Sequence, residues 1–146
     1  IYAFNNQSLF EGLKHLNNNN AQNEYYLTDL VEILKKLGKK VVAIPCDDWQ
    51  EVQGINGNVE LAHAAKYMQE RINTEWMKKG VTIYDPNTAY IGPNVTFGTD
   101  VIIHPNTYLY GDTVVEDYAE ILPGTWLEDT NVSKAETVGP FVRRKG

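Results

Sequence analysis

Residues 1–146 read as three consecutive architectures: an α/β segment over 1–57, a long helical arm over 58–80 and a parallel β-helix over 81–146. The β-helix is carried by a repeat. From Ile91 the chain falls into seven hexads whose first positions are Ile91, Phe97, Ile103, Leu109, Val115, Ile121 and Leu127. Their fifth positions are Val95, Val101, Thr107, Thr113, Ala119, Thr125 and Asn131, small or β-branched in all but the last. Gly, Pro, Asn and Asp, the turn formers, fill the intervals. A period of six fits neither a helix nor an alternating strand. It fits a hexapeptide β-helix, in which each short strand is one flat face and each turn one corner. First positions are then expected to point inward and stack from coil to coil. Fifth positions point inward near a corner, where only a small side chain fits.

The preceding elements follow from local signals. Ile1–Phe4 is apolar and β-prone, so a short strand is expected. Ser8 to Glu11 matches a capping box before a stripe of Leu9, Phe10, Leu13 and Leu16. Asn17 to Asn20 should end that helix as a polar loop, since short amides compete for backbone bonds. Thr28 is the expected N-cap of a second helix, with Leu30, Val31, Ile33, Leu34 and Leu37 as its apolar face and Gly38 as its stop. Val41–Ile44 is a continuous apolar run closed by Pro45, the pattern of a buried strand in an α/β sheet. Val59–Lys79 is the longest helix expected, striped by Leu61, Ala65, Met68, Ile72 and Trp76 and stopped by Gly80. Its length of roughly 30 Å at ~1.5 Å per residue would bridge two domains. Val81–Tyr84 is a short strand and Asp85-Pro86 a turn. The start at IYAF reads as a strand already under way, and RRKG shows no cap for the repeat, so a piece of a longer protein is expected.

Charge and composition narrow the function. The net charge is −6 and the pI near 5.0, with no basic stripe to neutralise nucleic-acid phosphates. A nucleotide carried with a divalent cation stays compatible. Cys46 is the sole cysteine, so no disulfide framework or cysteine metal cluster is expected. No apolar run nears the ~20 residues of a membrane span, and a cytoplasmic location is the expectation.

Some residues carry chemistry. AQNEYYLTD over 21–29 holds the hydroxyl, amide, carboxylate and aromatic groups of a sugar site. Tyr25 and Tyr26 read equally as core aromatics with a wet hydroxyl. Asp47, Asp48 and Glu51 read as a solvated loop or as hard-cation ligands. Asn56 reads as an amide oxygen for Mg²⁺ or as an ordinary helix cap. His15, His63 and His104 read as surface residues, His104 because the second hexad position faces solvent.

NNNNAQNEYYLTDLVEIL, EVQGIN, GVTIYDP and VGPFV, in order around a hexapeptide repeat, resemble the bacterial bifunctional N-acetylglucosamine-1-phosphate uridyltransferases / glucosamine-1-phosphate N-acetyltransferases. The likeness covers the whole chain. It implies a Rossmann-like nucleotidyltransferase segment, a linker helix and the first coils of a left-handed β-helix that forms homotrimers. It implies synthesis of UDP-N-acetylglucosamine for the cell wall from UTP and amino-sugar phosphates, with Mg²⁺, and acetyl-CoA as co-substrate if the acetyl step is retained. By the same resemblance Glu24, Tyr26 and Thr28 are sugar contacts, with Asn23 where the family has glycine, and Asn56 is a Mg²⁺ ligand. The family's second metal ligand, an aspartate, and its phosphate-binding loop are expected upstream of Ile1, which leaves no catalytic residue in the chain and predicts that it is inactive by itself. Lys145 stands where the family's acetyltransferase site has a sugar-phosphate arginine; lysine keeps the charge and loses the bidentate fork. Two other readings fit the residues: a non-catalytic β-helix oligomerisation module, and a related nucleotidyltransferase with another sugar.

Overall fold

The computed structural model describes all residues 1–146. They form two compact units, Ile1–Gln53 and Gly54–Gly146.

In the first unit, α1 (Asn6–Leu13) is capped by Asn5, whose side chain accepts the Ser8 amide at 3.2 Å. The helix therefore starts earlier than the Ser8 capping box predicts, because Asn5, three residues ahead, takes the Ser8 amide that the Glu11 side chain would have bonded. Glu11, freed from capping, pairs with Lys39 at 2.7 Å. A 3-10 turn, Leu27–Asp29, leads into α2 (Leu30–Lys36). Asp29 rather than Thr28 occupies the N-cap, and it makes no side-chain cap bond. Gly38 ends α2 in the left-handed region, at φ +72°, as expected. The two helices meet at Gly12: a Cβ there would stand 3.0 Å from Leu30 and 3.2 Å from Leu34, both buried. Close approach at a glycine, not the Phe10 and Leu13 stripe, makes this contact, and Phe10 is exposed.

The strands expected at Ile1–Phe4 and Val41–Ile44 do not form. Val42 and Ile44 are exposed, and the unit offers no neighbouring strand. A strand is a paired object: β-prone residues without a ladder partner are only extended chain.

The second unit opens with α3 (Asn58–Lys78), within a residue of its expected bounds, followed by the solenoid. Eleven short strands make three parallel sheets. The first holds β1 (Thr82–Ile83), β4 (Ile102–Ile103), β7 (Glu120–Ile121) and β10 (Thr137–Val138). The second holds β2 (Ala89–Ile91), β5 (Thr107–Tyr110), β8 (Trp126–Glu128) and β11 (Arg143–Lys145). The third holds β3 (Thr96–Phe97), β6 (Val114–Val115) and β9 (Asn131–Val132). Three hexads thus close one coil.

The register is as the hexads require. Ile83, Ile103, Ile121 and Val138 stack in one column; Ile91, Leu109 and Leu127 in a second; Phe97, Val115 and Val132 in a third. Ile103, Leu109, Val115, Ile121 and Leu127 are fully buried. The fifth-position threonines are buried without penalty. Thr107, Thr113 and Thr125 each donate to the carbonyl three residues back, at 2.6, 2.6 and 2.7 Å. A small β-branched hydroxyl fits the corner and satisfies itself there. Asn131 breaks the expectation: it is exposed, and Val132 takes the inward place. The turn after Leu127 is one residue short, so the inward position arrives early while the Val115–Val132 pairing is kept. Gly111 turns its corner at φ +61°, where an added Cβ would collide with the Asp129 carboxylate of the next coil.

Only the C-terminal part of the α3 stripe packs. Ile72 and Trp76 lie against the core, and Trp76 meets Phe97 edge-on at 5.0 Å. Leu61, Ala65 and Met68 are exposed. Beside the packed residues, the fully buried Asn73 donates to the Pro86 and Ala89 carbonyls at 2.8 and 2.9 Å, and Gln69 reaches the same two carbonyls. Polar side chains therefore seat the helix on the first coil. At the other end Arg144, in register with Leu127, pairs with Glu136 at 3.0 Å.

Replacing Ile103 or Leu109 with Asp buries an unpaired carboxylate in a stacked column, which costs several kcal/mol. The solenoid should lose its cooperative melting transition, read by circular dichroism; an unchanged Tm would show the register to be wrong. Asn73→Ala should lower stability by about 1–3 kcal/mol in urea unfolding, because the carbonyls it serves keep only Gln69. The Ser133 amide, and then the Arg144 guanidinium, hold the Glu136 carboxyl below the ordinary glutamate range. Its contribution is complete above the unfolded value of about 4.3 and fades as pH falls through the depressed folded value. Glu136→Gln should therefore flatten the acid-induced loss of stability below about pH 4, and equally steep losses in both proteins would exclude this role.

Candidate functional site

The loop between α1 and α2 is built by its asparagines. Asn17 accepts the Asn19 amide at 3.0 Å. Asn20 accepts the amides of Gln22 and Glu24, both at 3.2 Å, and donates to the Glu24 carbonyl at 2.6 Å. The run is thus more than a polar connector: the same competition for backbone bonds that ends α1 folds the next residues. Asn23 sits at φ +55°. That left-handed conformation suits glycine, and asparagine is among the few other residues that adopt it readily. The loop leaves Glu24 and Thr28 exposed and Tyr26 half-buried, along one segment of the first unit. Tyr25 is exposed as well, so it is no core aromatic.

Asn56 belongs to the second unit and is exposed. It does not cap α3; Gly57 holds that position, with no side-chain cap bond. Asp48 accepts the Gln50 amide at 3.0 Å and so caps the 3-10 turn Trp49–Val52. No group of three or more His, Cys, Asp or Glu side chains converges to hold a metal ion.

On the solenoid, the Lys145 ammonium meets the Glu128 carboxylate of the coil before it at 2.9 Å. Its charge already has a partner. His104 differs from its expectation as a solvent-facing residue. It is only 23% exposed, lies 2.8 Å from the Glu120 carboxylate and stands edge-on to Tyr84 at 4.9 Å. The second hexad position does face outward, but side chains from neighbouring coils flank it. His15 and His63 are exposed, as read.

An aromatic ladder, not among the residues expected to carry chemistry, lines the outer face of the second sheet. Tyr90 stacks on Tyr108 at 5.0 Å, Tyr108 on Trp126 at 5.4 Å, and the Arg143 guanidinium lies over Trp126 at 5.8 Å. Burial, with Tyr108 and Tyr90 close by, pushes the Tyr110 phenol above its ordinary pKa. A spacing of one coil between Tyr90, Tyr108 and Trp126 was the available signal. Beside the ladder, a groove of about 710 Å³ runs between α3 and the first coil, lined by Ala65, Met68, Ile72, Tyr90, Pro93 and Tyr110 among others. No helix is long and apolar enough to cross a membrane.

No family model matches the chain. Curated relatives do. The chain is 42% identical over 137 residues to the bifunctional protein GlmU of Halalkalibacterium halodurans, covering 94% of this chain and 30% of the relative. It is 43% identical over 138 residues to that of Lactobacillus helveticus, with 94% and 30% covered. The protein of the same name from Clostridium tetani is 41% identical over 157 aligned positions, with 97% and 34% covered. The aligned stretch runs through both units, so the likeness includes the asparagine loop as well as the solenoid. The chain belongs to the bifunctional GlmU family, and it spans about 30% of the length of the relatives it matches.

Proposed function

We propose that the chain is the sugar-side portion of a nucleotidyltransferase that makes UDP-N-acetylglucosamine from UTP and N-acetylglucosamine 1-phosphate. The observation that carries this reading is the loop over 20–28. Its backbone is tied down by side-chain amides, while Glu24 and Thr28 stay open to solvent. A fixed loop presenting a carboxylate, a hydroxyl and a phenol suits the hydroxyls and the apolar face of a sugar ring. Asn23 in the left-handed conformation also accounts for the glycine that the family's motif has there. The chemistry is attack of the sugar phosphate oxygen on the α-phosphorus of UTP, with pyrophosphate leaving. Catalysis of that kind rests on positioning and on neutralising charge. In this reading Glu24, Tyr26 and Thr28 orient the acceptor, and the extended runs Ile1–Phe4 and Val41–Ile44 are strands of a larger Rossmann-like sheet.

Asn56 is one neutral oxygen donor. Magnesium needs a near-octahedral oxygen shell in which carboxylates or phosphates bring charge. The residues of this chain do not make that shell by themselves, and Asn56 supplies one ligand of it at most. The solenoid, left-handed in this reading, assembles a homotrimer in the cytoplasm. An acetyl transfer using acetyl-CoA is the second activity that the relatives' bifunctional name suggests. Lys145 contributes there only if a phosphate displaces Glu128.

The test uses the full natural polypeptide that carries these residues. Glu24→Gln should raise the KM for N-acetylglucosamine 1-phosphate by roughly 10- to 100-fold, the loss of a hydrogen bond to a charged group worth about 1.5–3 kcal/mol. The KM for UTP should stay put. Unchanged sugar KM in Glu24→Gln and Thr28→Ala alike would refute the sugar-side assignment and favour the oligomerisation module.

A further inference from the structure

We propose that Asn20 is the positioning residue of the sugar loop: its side-chain amide fixes the backbone of Glu24 from both sides and so sets the direction of the Glu24 carboxylate. The inference rests on the sugar-side reading of Glu24 above.

The geometry is specific to Asn20. Its oxygen accepts the Glu24 amide at 3.2 Å, and its nitrogen donates to the Glu24 carbonyl at 2.6 Å. One planar side chain thus holds the peptide groups on both sides of a single Cα. The same oxygen takes the Gln22 amide at 3.2 Å, which closes the turn between them. Asn23, at φ +55°, reverses the chain just before Glu24, and its carbonyl accepts from Asn18 at 3.5 Å. Backbone φ and ψ restrict the rotamers open to the side chain they carry. With both peptide planes held, the Cα–Cβ bond of the exposed Glu24 has a fixed direction, and its carboxylate moves only over the arc that its rotamers sweep from there. Asn20 itself is half-buried, and its side-chain oxygen and nitrogen both bind backbone groups of the loop, so its effect on substrate is assigned through Glu24.

The amide chemistry is selective. Aspartate keeps the acceptor and loses the donor. Glutamine keeps both groups but places them one carbon too far. Alanine loses everything. A positioning role therefore predicts a graded series, whereas a residue needed only for folding would lower stability without singling out one substrate.

The experiment compares Asn20→Ala, Asn20→Asp and Glu24→Gln in the full natural polypeptide. It measures KM for N-acetylglucosamine 1-phosphate and for UTP, kcat, Tm, and amide exchange at Gln22 and Glu24. Asn20→Ala should raise the sugar KM at least fivefold at unchanged UTP KM and near-unchanged Tm. Exchange at Gln22 and Glu24 should quicken by tenfold or more, and Asn20→Asp should fall between wild type and alanine. A raised sugar KM in Glu24→Gln with none in Asn20→Ala would overturn the positioning role and leave the site reading intact. A fall in Tm with both KM values and kcat changing together would make Asn20 merely structural. No effect of Glu24→Gln would remove the sugar-side reading, and this inference with it.

Discussion

Between its two ends, each coil of the solenoid must present an apolar side chain at the same height on the same face as the coil before it. Ile83, Ile103, Ile121 and Val138 meet that demand in one column. A coil shares its backbone hydrogen bonds only with its two neighbours, so a slip in one coil misplaces every inward residue of the next. Fully burying one such side chain contributes about 1.5–3 kcal/mol. The corners are arranged around this stacking. Asp100, Asn106, Tyr118 and Asp129 all adopt positive φ, and Gly111 and Gly124 do the same at other corners. Asp, Asn and Gly enter that conformation at low cost, while Tyr118 bears roughly 1–2 kcal/mol of strain that the stacked core offsets. The short turn after Leu127 shows which constraint dominates. The chain gives up a residue at the corner and exposes Asn131 rather than lose the pairing of Val132 with Val115.

How much was legible in the sequence depends on how local the cause is. The hexad period writes the core columns directly, so Ile103 and Leu109 could be placed inward from spacing alone. The bounds of α3 were legible for the same reason, being set by a stripe and a stop glycine. Where a neighbour decides, the reading failed. Asn5 took the cap assigned to Ser8: its side chain accepts the Ser8 amide three residues on, which starts the helix one turn earlier. Val41–Ile44 has strand composition, but pairing is a property of two segments, and this chain forms no second one beside it. His104 sits at an outward position as read, yet Glu120 and Tyr84 reach it from adjacent coils. The asparagine run looked like generic loop because composition does not say which amide binds which backbone group. That linkage, invisible in the letters, is what ties the Glu24 backbone to Asn20.

The two ends of the solenoid core are treated differently, and both use polar groups. At the first coil a helix covers the stack, and its contact is half aromatic and half amide. Trp76 supplies area against Phe97, while Asn73 and Gln69 donate to the carbonyls of Pro86 and Ala89. In later coils the equivalents of Pro86, His104 and Leu122, accept the hydroxyls of Thr107 and Thr125, a donor that Ala89 cannot supply, and the Ala89 carbonyl has no earlier coil to bond. An aliphatic residue at Asn73 would bury more carbon and relieve the unpartnered Asn73 Oδ1, but it would leave Gln69 alone to serve both carbonyls. At the last coil the column of Ile91, Leu109 and Leu127 passes to Arg144, whose guanidinium turns to Glu136. The pair is partly wet, with about a third of each side chain exposed, so its ions escape most of the desolvation that a buried pair suffers. The helix end can therefore close the core with neutral amides in a dry place. The other end accepts a charged pair only because water still reaches it.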